Sequence, residues 1–352
     1  MPSIATQTRE LNASPLDYDL PRELIAQHPV EPRDRSRLMV VDRADGSVRH
    51  LAFTDLPSLV GRGDLLVGND SRVIAARLQA RKTTGGTVEL LLLPPATGRR
   101  CAALSKSSKR IRPGQSLELE DGTQVRIAAV ESGGRCIVDF GDCTAEEMVE
   151  RVGKVPLPPY IRHGEEGAGD RCAYQTVYAR VPGSIAAPTA GLHFTPEVLA
   201  DVHARGARFR TLTLHVGPGT FAPLRGEPAD HVMGAEMACV EPALVREIEE
   251  TRRGGGRVTA VGTTSVRTLE SAADPLAPGR VRTFQGDTDL FIRPGFRFSV
   301  CDRVLTNFHL PRSTLLCLVM AFAGEHLIRL AYEQAVRERY RFYSYGDAML
   351  IL

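Results

Sequence analysis

The sequence predicts an α/β protein in which a mixed-sheet α/β domain is interrupted by an inserted small antiparallel β-barrel. At 352 residues the chain is long enough for two domains. Its outer parts alternate strand-like runs with helical patterns, which is typical of α/β domains. Its middle part contains short strand-like runs without helical patterns, which is typical of a small barrel or sandwich. We therefore place the discontinuous α/β domain at 1–73 and 153–352, and the inserted β-barrel at 74–152.

The first outer part contains two strand signals. The runs RLMVVDR and SVRHLAF are separated by the turn residues Ala44, Asp45 and Gly46, so they predict a hairpin. The run DLLVGNDSRV then predicts a short strand that ends in a polar corner at residues 69–72.

The middle part carries six strand-like runs, which are ARLQARK, TVELLLLPP, RRCAALS, SLELE, QVRIAAV and RCIVDFG. Gly, Pro, Asp or Ser residues separate them at intervals of about 8–12 residues. The helical pattern TAEEMVERVG closes this part, because Thr144 and Glu147 form a capping box and Gly153 is a typical residue at a helix end.

The second outer part begins its helices with clear caps. TPEVLADVHARG has Thr195 as N-cap, Pro196 at the first position and Gly206 at its end, and the strand FRTLTLHV follows. A helix PALVREIEETRRGGG, a strand RVTAVG and a helix SVRTLESAA continue the alternation. The apolar run LLCLVMAFA predicts a core helix, since it is far too short to cross a bilayer. The aromatic C-terminal stretch YRFYSYGDAMLIL is expected to be buried.

Composition excludes several classes of protein. An apolar content of 43%, a charged content of 24% and a net charge of +2 fit a soluble protein, so any nucleic-acid surface must be local. The seven cysteines are scattered singly, which predicts reduced thiols and a cytoplasmic location. The N-terminal stretch lacks the pattern of a signal peptide. No HxH, HExxH, GxSxG or Walker spacing is present, and no GxGxxG follows a strand, so we predict no metal and none of these common sites.

Four histidines lie in corners at strand ends or helix starts, which is where open α/β sheets bind ligands. In chain order they are His193 in PTAGLHFT, His215 before GPGTF, His231 in DHVMGAE and His309 in LTNFHLPRS. A single histidine at a strand end is usually a hydrogen-bonded core residue, and GPGTF alone is typical of a hairpin turn. These residues alone therefore fit either a ligand site or ordinary structural histidines and turns.

The stretch VTAVGTTSVRTLES predicts a strand that runs through Gly262 into a helix. The N–H groups of the first helical turn point outward, and the helix dipole favours an anion there. The hydroxyls of Thr263, Thr264 and Ser265, with Arg267 nearby, suit a carboxylate or a phosphate. The alternative is a well-capped helix without a ligand.

A basic run without any acid lies in the predicted barrel. It contains Arg99, Arg100, Lys106, Lys109, Arg110 and Arg112. Such a run is often only a solvated face, but on a small barrel it also suits contacts to a phosphate backbone.

Nine stretches, in order and along nearly the whole chain, resemble the S-adenosylmethionine:tRNA ribosyltransferase-isomerase family of queuosine biosynthesis. They are LIAQHPVEPRDRSRLMVVDR, GDLLVGNDSRVIAARL, GGTVELLLL, YQTVYA, GSIAAPTAGLHFT, TLHVGPGTF, AVGTTSVRTLES, TNFHLPRSTLL and YRFYSYGDAML. The resemblance implies an α/β domain with an inserted β-barrel and an enzyme that is both a transferase and an isomerase. It implies transfer of the ribosyl moiety of S-adenosylmethionine to 7-aminomethyl-7-deazaguanine at the tRNA wobble position. The ribose becomes an epoxycyclopentane, which gives epoxyqueuosine-tRNA, and adenine and methionine leave.

The same resemblance implies the partners and the site residues. S-adenosylmethionine is a co-substrate, no metal is needed, and tRNA carrying the 7-aminomethyl base is the partner of a monomer without membrane contact. The reaction needs a base beside the sulfonium and an acid for adenine; the candidates, with roles unassigned, are His193, His215, His231, Glu236 and His309. The candidate donor-binding residues are Asn69, Asp70, Arg72, Thr189, Gly191, Gly217, Gly219, Thr220, Thr263, Thr264, Ser265, Arg267, Asn307 and Asp347. The six cations of the basic run are the candidate tRNA-binding residues.

Three departures from the family pattern concern the acceptor. Gly234 stands where the family has a second histidine between His231 and Glu236, the segment SKSSKRIRPG lacks an Arg-Pro, and the chain has no tryptophan. Two alternatives therefore stay open. One is an enzyme that uses the same donor on a free 7-deazaguanine or another small acceptor. The other is a non-catalytic tRNA-binding protein, against which the retained GTTS, TAGLH and NFHLP corners weigh.

Overall fold

A computed structural model describes residues 16–221, 224, 228 and 231–352. The chain forms two compact units. The described residues of Met1–Asp70, Pro188–Leu214 and Gly219–Leu352 form the larger unit, and Ser71–Ala187 with His215–Pro218 form the smaller one. The larger unit contains a mixed sheet with helices and the smaller one a closed antiparallel barrel, so the predicted fold class is confirmed. The predicted boundary at 152–153 falls inside the smaller unit, which extends to Ala187.

The larger unit opens with β1 (Arg37–Val41), β2 (Val48–Ala52) and β3 (Leu65–Asn69). β1 and β2 pair as the predicted antiparallel hairpin. All five residues of β3 are buried, which is typical of a central strand with both faces covered.

The smaller unit contains β4 (Ser71–Val73), β5 (Arg77–Lys82), β6 (Thr87–Leu92), β7 (Arg100–Ser107), β8 (Ser116–Leu119), β9 (Gln124–Val130), β10 (Arg135–Asp139) and β11 (Val181–Ser184). Six of these strands close a barrel in the order β10-β7-β6-β5-β8-β9. Alternate residues along the strands are buried, so the barrel has its own apolar core. β4 and β11 form a separate parallel pair.

The larger unit continues with β12 (Arg208–Leu214), β13 (Glu236–Val240), β14 (Val258–Val261), β15 (Phe284–Thr288), β16 (Arg303–Asn307) and β17 (Ala348–Ile351). Its nine-stranded sheet has the order β15-β13-β12-β3-β14-β16-β17-β1-β2. β12, β3, β14 and β16 run parallel, whereas β13 and β17 are antiparallel to their neighbours β12 and β16.

The helices are α1 (Ala145–Val152), α2 (Asp170–Ala173), α3 (Pro196–Ala204), α4 (Pro242–Arg253), α5 (Thr263–Ser271), α6 (Thr314–Ala323) and α7 (Glu325–Arg337). The predicted caps are present, because the hydroxyl of Thr144 accepts a hydrogen bond from the N–H of Glu147 and that of Thr195 accepts one from the N–H of Val198. These caps satisfy N–H groups that a helix end would otherwise leave without a partner.

The core helix predicted at LLCLVMAFA and the burial predicted for the aromatic C-terminal stretch are both confirmed. α6 is almost entirely buried, and all four residues of β17 lie buried between β16 and β1. Among the described residues no single helix is long and apolar enough to cross a membrane, and only the α6–α7 pair, bent by 117°, passes on length and composition.

Candidate active site

One edge of the large sheet collects most of the polar residues that the sequence predicted for a site. The parallel strands β12, β3, β14 and β16 all end there, and the antiparallel strands β13 and β17 begin there. β3 lies between β12 and β14. The strands that follow it are added first on one side, as β12 and β13, and then on the other side, beginning with β14. Such a switch point is the usual ligand position in an open α/β sheet.

Asn69, the last residue of β3, is buried at this switch point. Its amide nitrogen donates to the carbonyl of Leu214 (2.9 Å) and to Oγ1 of Thr264 (3.3 Å), and its Oδ1 accepts from the N–H of Leu214 (3.0 Å). The side chain therefore connects the ends of β3 and β12 with the first turn of α5.

α5 begins directly after Gly262, which has φ +89° and ψ 152°, a conformation nearly restricted to glycine. A Cβ at Gly262 would lie 3.6 Å from Cβ of Ala190, so the 189–193 turn packs against this corner. The N–H groups of Thr263, Thr264 and Ser265 belong to the first turn, where an α-helix supplies no carbonyl partners. The hydroxyl of Ser265 donates to the carbonyl of Val261 (2.7 Å) and so holds the turn on the strand.

Asp70 follows Asn69 and is 1% exposed. Its carboxylate accepts hydrogen bonds from Oγ1 of Thr213 (2.7 Å) and Oγ1 of Thr211 (3.1 Å), both on β12. These two hydroxyls orient the carboxylate at the sheet edge. Neither threonine was predicted as a site residue, although their alternation with leucines in TLTL places them on one face of the strand.

His193 lies in a buried relay of four polar side chains. Oγ1 of Thr189 donates to Oδ1 of Asn307 (2.8 Å), Nδ2 of Asn307 donates to Nε2 of His193 (3.1 Å), and Nδ1 of His193 lies 2.7 Å from Oγ of Ser36. Since Nε2 accepts, Nδ1 carries the proton and donates it to Ser36. The ring also stacks on Phe53, with centroids 5.0 Å apart.

Burial, aided by the nearby cations Arg33 and Arg341, lowers the pKa of His193 to about 3. His193 is therefore neutral at physiological pH. Gly191, in the same 189–193 turn, is buried. The contact of Ser36 with His193 was not predicted, because nothing in RDRSRL indicates that it faces a histidine 157 residues away.

His309 is buried in a second polar cluster. Its ring nitrogen Nε2 lies 2.8 Å from Oγ1 of Thr306. Its backbone N–H donates to the hydroxyl of Tyr332 (3.0 Å), and its backbone carbonyl accepts from the hydroxyl of Tyr18. Burial lowers the pKa of His309 to about 3. These contacts match the simpler of the two alternatives, a hydrogen-bonded core histidine.

Glu236 and Arg267 meet at the other side of the switch point. They form a buried ion pair, and Arg267 also donates to the carbonyls of Leu290 (2.9 Å) and Thr288 (3.3 Å). The guanidinium is thus engaged by protein acceptors, whereas the sequence predicted that it faces a ligand anion. The carboxylate of Glu236 is likewise held by a cation, unlike that of a free general base.

Asp347 directly precedes β17, whose first residue Ala348 pairs with Asn307. Its two carboxylate oxygens accept from the N–H of Arg37 (2.9 Å) and the N–H of Arg341 (2.8 Å). Burial raises the pKa of Asp347, although these hydrogen bonds and the neighbouring arginines act against the increase. The residue ties β1 to the aromatic C-terminal turn.

The remaining candidates are divided between the two units. His231 is half-buried in the larger unit, where its ring meets Phe291 edge to face at 5.3 Å. Gly219 lies in the same unit, and a Cβ there would be 3.9 Å from Gly234. The side chain of Thr220 lies outside the described residues.

Arg72, His215 and Gly217 belong to the smaller unit. Arg72 is exposed on β4, and Gly217 is half-buried. The ring of His215 packs on Gly183, where a Cβ would lie 3.0 Å from Cε1 and Nδ1. Gly183, with φ +133°, leaves the space that this ring occupies.

The six cations of the basic run are all exposed, but the structure does not bring them together. Arg99 and Arg100 lie at the start of β7, whereas Lys106 lies near its end and the other three follow it. The eight residues of the strand span about 23 Å at roughly 3.3 Å per residue. Arg100 also pairs with Asp139 at 2.8 Å. The run is therefore two groups at opposite ends of the barrel.

No group of three or more His, Cys, Asp or Glu side chains suited to hold a metal ion occurs among the described residues. The edge of the sheet presents a helix start, one glycine corner, several hydroxyls and the buried carboxylates of Asp70 and Asp347, beside the Glu236–Arg267 ion pair. This set fits an uncharged ring or sugar held by directed hydrogen bonds, with an anionic end at the helix start.

Comparison with known proteins gives consistent results. The family model described as "Queuosine biosynthesis protein" matches residues 13–351. The chain is 52% identical over 348 residues to the S-adenosylmethionine:tRNA ribosyltransferase-isomerase of Anaeromyxobacter dehalogenans, covering 97% of this chain and 99% of the relative. It is 52% identical over 346 residues to the protein of the same description from Symbiobacterium thermophilum, covering 97% and 100%. The crystal structure of S-adenosylmethionine tRNA ribosyltransferase from Thermotoga maritima is similar with a TM-score of 0.56 and 37% identity, covering 96% of this chain and 100% of that one.

Proposed function

Because the chain belongs to the queuosine biosynthesis protein family, we propose that it is an S-adenosylmethionine-dependent tRNA ribosyltransferase-isomerase. It transfers the ribosyl moiety of S-adenosylmethionine to 7-aminomethyl-7-deazaguanine at the tRNA wobble position and isomerises it to the epoxycyclopentane. The product is epoxyqueuosine-tRNA, and adenine and methionine are released. The observation that carries the proposal is the convergence of the predicted polar corners on one switch point of the sheet.

The donor binds along this edge. Its methionine carboxylate lies at the start of α5, where the first-turn N–H groups and the helix dipole favour an anion. Gly262 lets the ligand approach the backbone closely, since it carries no side chain. Asp70, already oriented by Thr211 and Thr213, accepts hydrogen bonds from ribose hydroxyls.

Four of the five titratable candidates receive a role. His193 is neutral and engaged at both ring nitrogens, and His309 is buried, neutral and held at Nε2 by Thr306, so we assign both to positioning neighbours and not to proton exchange with the substrate. Glu236 holds Arg267. His231, half-buried in the larger unit, is therefore the candidate to which we assign a proton transfer of the reaction. His215 belongs to the smaller unit, and we assign it no role in the reaction. No metal takes part in this scheme.

The decisive experiment incubates the protein and S-adenosylmethionine with tRNA that carries the 7-aminomethyl base, followed by analysis of the digested nucleosides. Formation of epoxyqueuosine with equal amounts of adenine and methionine supports the proposal. Adenine release with the free base but not with tRNA would support the small-acceptor alternative. Tight tRNA binding without any adenine release would support a non-catalytic tRNA-binding protein.

We also propose that the enzyme is a cytoplasmic monomer. The described cysteines are all free thiols, and four of the seven are buried, which fits a reducing compartment. Light scattering of the purified protein should give a mass close to the 38.4 kDa of one chain.

A further inference from the structure

The two ends of the barrel differ in charge. The loops at one end are 83–86, 108–115 and 131–134, and we call this the 108–115 end. They carry three cations, Lys109, Arg110 and Arg112, and one acid, Glu131, which pairs with Arg135 at 3.2 Å. The loops at the opposite end, 93–99, 120–123 and 140–144, carry three acids and one cation, Arg99.

The cations at the 108–115 end have no acidic partner among the described residues. Lys109, Arg110 and Arg112 are exposed and form no ion pair there. The exposed Lys106 forms none either, although it lies opposite Glu89 on β6. At the opposite end, by contrast, Arg100 is paired with Asp139, and the nearby Lys154 is paired with Glu120 at 2.6 Å. A cation without an acidic neighbour attracts phosphate more strongly, because no carboxylate competes for it.

The loop that displays these cations is held in place from beneath. The buried ammonium of Lys82 and the hydroxyl of Ser107 both donate to the carbonyl of Lys109, at 2.5 and 2.7 Å. Ile111, between Arg110 and Arg112, is buried in the barrel core. The N–H of Gly114 donates to the carbonyl of Ile127 (2.7 Å). An ordered loop loses less entropy when it binds a partner.

We propose that the 108–115 end of the barrel binds the phosphate backbone of the tRNA, through Lys106, Lys109, Arg110 and Arg112, and that the opposite end does not. The inference rests on the proposed function, since that function supplies the tRNA. It narrows the six candidate tRNA-binding cations to the four near this end, because Arg99 and Arg100 lie at the other end of β7.

The test compares two triple variants that remove the same charge. One is Lys109→Ala/Arg110→Ala/Arg112→Ala, and the matched control from the opposite end is Arg99→Ala/Arg100→Ala/Lys154→Ala. Binding of tRNA carrying the 7-aminomethyl base is measured from low to high salt for both variants and the wild type. Circular dichroism and the thermal unfolding midpoint, compared with those of the wild type, report that each variant is folded.

The first variant should lower the slope of log affinity against log salt by about 2–3, since each phosphate that the protein no longer neutralises reduces the slope by roughly 0.7–0.9. The control should leave the slope close to that of the wild type. Equal changes in both variants, or no change in the first, would overturn the inference while leaving the proposed function intact. A wild-type protein that fails to bind this tRNA would overturn both.

Discussion

Arg267 and Glu236 form an ion pair that is almost completely buried, with 4% of each side chain exposed. The sequence pattern assigned both residues to a ligand, one as an anion binder and the other as a titratable catalyst. Their contact, 31 residues apart in the chain, instead joins α5 to the start of β13. Two charges that neutralise each other inside the protein are poorly placed to meet a substrate.

Replacement of Arg267 by alanine should therefore reduce stability. It leaves the Glu236 carboxylate buried without its guanidinium partner, which typically costs about 3–5 kcal/mol. Urea unfolding followed by helical circular dichroism measures the loss, since most helices belong to the larger unit. Arg253→Ala, which breaks an exposed pair with Glu249, is the control and should cost less than about 0.5 kcal/mol. Unchanged stability with much weaker donor binding would restore the ligand role of Arg267.

The carboxylate of the donor should contribute strongly to its affinity. Decarboxylated S-adenosylmethionine should bind about 10- to 100-fold more weakly than the intact donor, which corresponds to roughly 1.5–3 kcal/mol for charge-assisted hydrogen bonds at the start of α5. Calorimetry with both compounds measures the difference. Gly262→Ala distorts this turn, because its backbone conformation costs a non-glycine residue about 1–3 kcal/mol, and should reduce the discrimination. Equal affinities for both donors in the wild type would place the carboxylate elsewhere.

The two buried neutral histidines should make the larger unit sensitive to acid. The pKa of both His193 and His309 falls from 6.5 to about 3 on folding, so below about pH 6.5 the unfolded chain binds more protons than the folded protein. Each histidine then lowers the free energy of unfolding by about 1.4 kcal/mol per pH unit, down to about pH 3. The raised pKa of Asp347 acts in the opposite direction, because the folded protein takes up that proton first.

A single substitution isolates the histidine contribution. His309→Gln should reduce the pH dependence of the unfolding free energy by about one proton between pH 6 and 4, whatever its effect on stability at neutral pH. His203→Gln, on the exposed surface of α3, is the matched control and should leave that dependence unchanged. A slope that His309→Gln does not alter would mean that the folded protein protonates His309 as easily as the unfolded chain does.

His231 and His193 should affect the pH–rate profile of the reaction in different ways, as their different surroundings suggest. His231→Gln should remove one limb of the pH–rate profile of adenine release, because its half-buried ring is assigned a proton transfer. Ser36→Ala leaves the Nδ1–H of His193 without its acceptor and should lower the rate while both limbs stay in place. A limb that shifts in Ser36→Ala but not in His231→Gln would exchange the two roles.

Local chemistry made much of the fold predictable. Thr144 and Thr195 cap helices as predicted, and the polar residues at strand ends indicated one sheet edge because parallel strands share it. The polar turns at strand ends and helix starts could therefore be predicted from the sequence.

Contacts between residues far apart in the chain could not be predicted from the sequence. Glu236 meets Arg267 only because β13 runs antiparallel to β12 and begins at the edge where α5 starts. Likewise, the basic run is continuous in sequence but is divided in space, because a strand carries the chain from one end of the barrel to the other between Arg100 and Lys109. Net charge and spacing contain no information on such register.

The parallel pair of β4 and β11 has a consequence for how this protein can change over time. Ser71 pairs with Val181 and Val73 with Ser184, so the chain enters and leaves the inserted segment on neighbouring strands about 4.8 Å apart. A segment whose two ends lie side by side can be exchanged as a cassette, since a short linker would rejoin the flanking chain. Recombination among relatives could thus replace the barrel while the large mixed sheet is inherited unaltered.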